Sequence, residues 1–438
     1  MQPFEVVVIL LAVAVGLGVL AGWLRVPYPI PLVVGGLLLS LQPWAPRFSM
    51  PPDVVFLAFL PPLLYAAAFD TEWRLFRRQL RPISMLAVGL VLFTTALVAW
   101  AAHDWVGLGW GPAFVLGAIV SPPDAVAATA VTQRMRVPRV VSTILEGESL
   151  VNDASALVAY RVAVGAVLGG AFELWEAGWQ FLLVGTGGIA IGIIGAVLVI
   201  RLHRWLERTK LGDSKLQIAV TLLTPYAVYL PAEYLHFSGV LASVTAGLWV
   251  GTRCEQVFGR ELYTDLRAVW ETITFLLNSL IFIVIGFELQ TILNNLDDDH
   301  SPMDLLRYAA VISAVVILAR LVWVIPGAYV PRWVERRLTG RGDPYPPWQL
   351  VTVVGWTGMR GVVSLAAALA IPVMAGGQPF PGRDLIQFLT FWVIFATLVG
   401  QGLTLPLLIR ALGLGKVESR AVDDADSSAD QTRISDTD

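Results

Sequence analysis

Apolar residues in this chain come in long blocks separated by short polar stretches. Most blocks approach the ~20 residues that a helix needs to cross the hydrocarbon core of a bilayer. They fall near 5–24, 30–45, 54–69, 83–102, 113–131, 141–168, 180–200, 215–231, 237–252, 270–292, 304–330, 348–373 and 384–410. The pattern predicts an all-α membrane protein with about 13 transmembrane helices, of which the second, third and ninth are short. The first block has no basic amino-terminal region and ends in Trp23-Leu24-Arg25, not in a small-residue cleavage site. It therefore reads as a helix and not as a leader.

Composition supports this class. Of 438 residues, 56% are hydrophobic and 14% are charged, whereas a soluble domain carries roughly 25% charged residues. A net charge of −3 offers no basic surface for nucleic acid. The single cysteine, Cys254, cannot form an internal disulfide and reads as a small residue at a helix end. Basic residues gather in alternate loops: Arg74, Arg77, Arg78 and Arg81; Arg134, Arg136 and Arg139; Arg201, Arg204, Arg208 and Lys210; Arg332, Arg336, Arg337 and Arg341. The intervening loops carry Glu173 with Glu176, and Asp297-Asp298-Asp299. Lys and Arg are retained on the cytoplasmic side. This places the N-terminus outside the cell membrane and the C-terminus in the cytoplasm, with Arg47 on the discordant side. Residues 1–416 read as one transmembrane domain. The polar, acidic stretch 417–438 reads as a short disordered cytoplasmic tail.

Two spans are interrupted in a similar way. The fifth holds Ser121-Pro122-Pro123-Asp124, and the twelfth holds Thr357-Gly358-Met359-Arg360-Gly361. Consecutive prolines remove two amide donors, so a helix cannot run through them undisturbed. Unwound backbone at membrane depth survives only where it is buried or lines a watery cavity. Interrupted helices in matching positions of two halves point to a transporter's central site. Six helices per half, with the seventh as a linker, make the halves inverted repeats.

The sixth span carries the chemistry. Glu146-Gly147-Glu148-Ser149-Leu150-Val151-Asn152-Asp153 places three carboxylates, a hydroxyl and an amide inside an apolar helix. A charge at the bilayer centre costs at least ~2.5–3.5 kcal/mol, so an intramembrane carboxylate is a functional candidate by default. On a helix Ser149 and Asp153 share one stripe, and Glu148 and Asn152 share the next. One stripe can present oxygens to a cavity while the other reaches a fixed cation. Hard cations choose oxygen ligands, including hydroxyls and main-chain carbonyls such as those of the unwound fifth span. Glu146, near the cytoplasmic end of the span, reads as an interfacial group.

These residues resemble the sodium/proton exchangers of the monovalent cation:proton antiporter-1 family. The resemblance rests on Ser121-Pro-Pro-Asp-Ala-Val-Ala127, Glu148-Ser-Leu-Val-Asn-Asp153, Gly358-Met-Arg-Gly-Val-Val-Ser-Leu-Ala366 and, more weakly, Leu60-Pro-Pro-Leu-Leu-Tyr65. It spans nearly the whole chain. It implies two inverted six-helix repeats in which the fifth and twelfth helices cross, and a homodimer. It also implies an ion at Asp153, coordinated with Ser149 and the main chain at Pro123, with Asp124 beside it. Glu148 is implied to pair with Arg320 on the eleventh helix. Arg360, at the twelfth-helix break, would balance the facing helix C-termini. The implied activity is antiport of a monovalent cation, sodium foremost, against a proton, with no cofactor beyond these substrates. A potassium- or lithium-preferring antiporter is the alternative.

The departures concern ion binding. Pro123 stands where the family usually has threonine, Ala125 where a second proline is common, and Ala66 where several relatives carry a carboxylate. A buried carboxylate is neutralised by a proton or by a cation, so the two exclude each other. With neutral Asn152 beside Asp153, one proton exchanges for one cation. Family members with two aspartates at this pair are the electrogenic ones.

The remaining polar residues suggest no second site. Asp70, Glu72 and the following arginines read as a solvated loop and helix end. Glu271 and Glu288 read as interfacial, with a Glu271–Arg360 pair as the alternative for the former. Arg161 would extend its charge toward the outer surface. His103, His203, His236 and His300 fall at loops or span ends with no metal-ligand spacing. The 16 tryptophans read as interfacial anchors. Gly340-Arg-Gly-Asp343 matches a short intramembrane aspartyl protease pattern but lies in a basic, proline-rich loop. A cation channel would favour rings or filters over two crossing broken helices.

Overall fold

The computed structural model describes residues 3–42, 55–135, 137–169, 174–209, 213–296, 301–339 and 345–414. Arg47, Arg136, Glu173, Lys210, Asp297–Asp299, His300, Arg341, the 340–343 motif and the 417–438 stretch lie outside them. Within the described residues the chain is helical, apart from a small antiparallel hairpin of β1 (Met374–Ala375) and β2 (Gln378–Pro379).

Seven described helices are long and apolar enough to cross a membrane, and three shorter apolar helices accompany them. The thirteen expected spans all have helical counterparts. They begin with α1 (Pro3–Leu24) and α2 (Pro29–Ser40). The third, α3, has a π-helical opening, Val55–Phe59, followed by Leu60–Asp70. The fourth, α4, spans Leu80–Val106. The fifth divides into α5a (Trp110–Val120) and α5b (Ala125–Arg134). Next come α6 (Arg139–Val167), α7 (Leu174–Arg208) and α8 (Ser214–Tyr234). The run Gly239–Asn295 contains the ninth and tenth spans, α9 (239–258) and α10 (260–295), divided by Gly259 at φ 73°. After α11 (Pro302–Thr339) the twelfth divides into α12a (Trp348–Trp356) and α12b (Val362–Leu369). The last, α13, is Arg383–Ala411.

Two local expectations are corrected. No extended loop separates α9 from α10; the two helices meet directly at a kink at Gly259, whose φ of 73° is open to glycine and rare for L side chains. Residues 70–81 are not simply a solvated loop, since Trp73–Arg78 forms a short helix that buries Phe76. Its arginines remain outside the core, as an amphipathic turn at an interface would place them.

The helices sort into two bundles. α1–α3 pack with α7–α10, and α4–α6 pack with α11–α13. The chain therefore passes between bundles after α3, α6 and α10. Large apolar side chains such as Val19, Leu198, Leu223 and Val322 face outward, while arginine and carboxylate side chains lie inside. That inversion suits a hydrocarbon solvent, in which apolar surface costs nothing and an unpaired polar group costs several kcal/mol.

Candidate functional site at the helix crossing

The breaks in α5 and α12 meet inside the second bundle. Pro122 and Pro123 supply no amides, so α5a ends with carbonyls that its own helix cannot satisfy. Arg360, fully buried, fills that gap. Its Nε donates to Val120 O at 2.9 Å, Nη2 to Ser121 O at 3.5 Å, and Nη1 to Gly358 O. Its backbone amide donates to Thr397 Oγ1 at 3.0 Å. Thr397 lies in a π-helical stretch of α13, Ala396–Gln401. One guanidinium thus serves the carbonyl ends of both broken helices, where the macrodipoles leave partial negative charge.

Asp124 does the converse at the amide ends. Its Oδ1 accepts from Val126 N at 2.8 Å, capping α5b, and its Oδ2 accepts from Val362 N at 3.4 Å, at the start of α12b. Its own amide donates to Met359 O at 2.7 Å. A Cβ at Gly361 would collide with this carboxylate, so glycine there is required by close approach. Asp124 and Arg360 together neutralise four half-helix ends.

α6 crosses beside this point. Glu148 and Arg320, both buried, form a bidentate pair at 2.5 and 2.7 Å. Arg320 Nε also donates to Val354 O at 3.0 Å, at the end of α12a. One turn further, Asn152 Nδ2 donates to Pro123 O at 2.9 Å. The Pro123 carbonyl implied as an ion ligand therefore already accepts one bond, which leaves its second lone pair. Ser149 Oγ accepts from Ala125 N at 3.4 Å. Asp153 is 5% exposed, and among the described residues no hydrogen bond or ion pair reaches its carboxylate.

Asp153 and Ser149 line a cavity of about 1190 Å³ between the two bundles. It widens to Asp70, Glu72, Arg74 and Arg139, on the side of the basic loops. Asp124, Glu146, Glu271 and Arg267 line it as well, so carboxylates outnumber arginines along its walls and favour cations.

Several expectations for other residues are revised. Glu271 does not meet Arg360; it pairs with Arg267 at 3.1 Å, and Arg267 lies 3.6 Å from Asp70. Glu288 and His203 are both buried within the helix packing; His203 Nε2 lies 3.5 Å from Thr221 Oγ1, between α7 and α8. Arg161 reaches Glu233 at 3.1 Å with its side chain half exposed. Sequence reasoning passed over Tyr28, Asn278 and Ser364 on the cavity wall, and Thr397 at the crossing. Asn278 carried a signal: an amide in the middle of an apolar span.

A crossed pair of broken helices, charge-balanced at their ends beside a buried carboxylate, defines a multi-pass membrane protein of the crossed, broken-helix class. The chain belongs to the sodium/hydrogen exchanger family: the family model described as "Sodium/hydrogen exchanger, transmembrane" matches residues 7–411. Among its relatives is the "Sodium, potassium, lithium and rubidium/H(+) antiporter" of Bacillus pumilus (strain SAFR-032), 33% identical over 93% of this chain and 61% of that protein. The Bacillus subtilis (strain 168) protein of the same description is 31% identical over 93% of this chain and 62% of its own length. This chain thus spans about six-tenths of those two relatives. The "Na(+)/H(+) antiporter ApNhaP" of Aphanothece halophytica is 31% identical over 94% of this chain and 75% of its own. The fold resembles that of the sodium proton antiporter MjNhaP1 from Methanocaldococcus jannaschii at pH 8, with a TM-score of 0.70 at 20% identity, covering 95% of this chain and 100% of that one.

Proposed function

We propose that this chain exchanges a monovalent cation, sodium foremost, for a proton at Asp153, one for one, across the inner cell membrane. The observation that carries this reading is the Asp153 carboxylate: buried, without a hydrogen bond or ion pair among the described residues, and lining a cation-favouring cavity. An ionised carboxylate in that position needs a cation, and a neutral one needs a proton. Either ligand leaves the site uncharged, so the bundle carrying α5, α6 and α12 can shift past the other only when loaded. Coupling then requires no separate gate. Ser149 and the Pro123 carbonyl complete the coordination, Asn152 positions that carbonyl, and Asp124 with Arg360 holds the crossing rigid.

The basic loops support a cavity mouth and a C-terminus on the cytoplasmic side and an N-terminus outside. The family resemblance supports a homodimer. A broader cation range is the second reading: Ala66 contributes no oxygen, and the two Bacillus relatives are named for four cations. Proteoliposomes carrying a pH-sensitive dye test both, with sodium, lithium and potassium pulses across pH. The wild type should show cation-driven proton flux and Asp153→Asn none. Proton-coupled sodium flux retained by Asp153→Asn would end the assignment.

A further inference from the structure

The wall of the cavity that belongs to the other bundle also bears on ion binding. There α3 presents Ala66 and Ala67, which offer no side-chain oxygen. Beside them stand Tyr28, at the start of α2, and Asn278, on α10. The Tyr28 hydroxyl adjoins the Asn278 side chain and lies within electrostatic reach of Asp124. Asn278 is 2% exposed, and its Oδ1 has no hydrogen-bond partner. Across from it, Ser364 Oγ on α12b is buried and equally unpartnered.

Buried polar groups are nearly always paired, so an orphaned amide oxygen in a cavity wall calls for an explanation. A small hard cation supplies one, because it gathers several oxygens, including neutral amide carbonyls. The second bundle lacks a full set. Asp124 is engaged by two backbone amides, and the Pro123 carbonyl and Ser149 hydroxyl each accept one bond already. With Tyr28 beside this amide, Oδ1 is the buried atom left without a partner among the described residues. α2 and α10 hold this pair as a unit, since a Cβ at Gly36 or Gly286 would strike the opposite helix's backbone.

We propose that Asn278, oriented by Tyr28, is a cation ligand contributed by the α1–α3/α7–α10 bundle, and that it tightens binding only while the cavity is open on the basic-loop side. The sidedness follows from placement. Asn278 and Asp153 sit on different bundles, and alternating access carries one past the other. The proposal rests on the exchange reading above and adds to it a ligand and an asymmetry of affinity between the two membrane faces.

The test is sided sodium kinetics in oriented proteoliposomes. Asn278→Ala should raise the apparent KM for sodium about tenfold on the cavity side, with kcat within about twofold. On the opposite side its KM should stay within about twofold of the wild type. Tyr28→Phe should give a smaller, same-sided rise of about threefold, because the amide loses its orientation. Asn278→Ser, which retains an oxygen, should recover part of the loss, and with Tyr28→Phe it carries the test if Asn278→Ala does not purify folded. An unchanged cavity-side KM, or an equal rise on both sides, overturns the proposal. If the wild type exchanges, Asp153→Asn is inactive and the Asn278 variants behave as wild type, the ligand assignment alone fails. A wild type with no exchange removes both readings.

Discussion

Glu148 and Asp153 lie little more than one turn apart on α6, and both are buried, yet their surroundings are opposite. Glu148 is held by two short bonds from Arg320, which is tied in turn to the end of α12a. Asp153 has no hydrogen-bond or ion-pair partner among the described residues and lines a cavity. The same helix thus carries one carboxylate whose counter-ion is part of the fold and one whose counter-ion, in the function we propose, must arrive. Burial alone does not distinguish a structural charge from a working one. What surrounds the carboxylate does.

That contrast can be broken by substitution. The largest expected effect is on transport: Asp153→Asn removes cation-driven proton flux, yet its unfolding temperature should equal or exceed that of the wild type. A marked loss of stability would mean that Asp153 is structural after all. Arg320→Ala should do the reverse, costing about 3–5 kcal/mol by stranding a buried charge, read as a lower unfolding temperature in detergent. Replacing both partners, Glu148→Gln with Arg320→Met, should restore part of that loss. An Arg320→Ala protein with unchanged thermal stability would void the comparison.

A smaller effect sharpens it. Asn152→Asp adds a second ionisable group beside Asp153, and the exchange equilibrium, which one-for-one exchange would leave voltage-independent in the wild type, should become sensitive to a clamped membrane potential. Clear voltage sensitivity in the wild type would refute one-for-one exchange. Asp124→Ala removes the cap on α5b and should cost about 1 kcal/mol, measurable as a modest fall in unfolding temperature. A loss as large as that of Arg320→Ala would place the weight of the fold at the crossing and not at the ion pair.

Much of the architecture was legible because a bilayer imposes a length rule on apolar segments. The α5 and α12 breaks were legible because Pro122-Pro123 and the glycines around Arg360 leave few helical alternatives. The junction of α9 and α10 was not, because a charged stretch at a membrane surface reads as a loop whether or not helix persists through it. The burial of Glu288 and His203 was hidden for a related reason: hydropathy locates a residue along a helix but not around it, and bundle packing decides which face is covered. Asn278 and Tyr28 escaped notice because they come together only when α2 packs against α10. The partial engagement of the Pro123 carbonyl by Asn152 was equally invisible to spacing.

The Glu148–Arg320 pair has a consequence for biosynthesis. Its two residues are separated by 172 positions, and chains fold from the N-terminus as they are made, at about 5–20 residues per second. For several seconds α6 is therefore in the membrane while the arginine that completes it has not yet been synthesised. In that interval Glu148 is spared an unpaired buried charge only by holding a proton or by staying near the aqueous surface. Insertion of α11 is then the committing event in assembly, and a block to translation just before it should leave a nascent chain open to quality-control proteolysis.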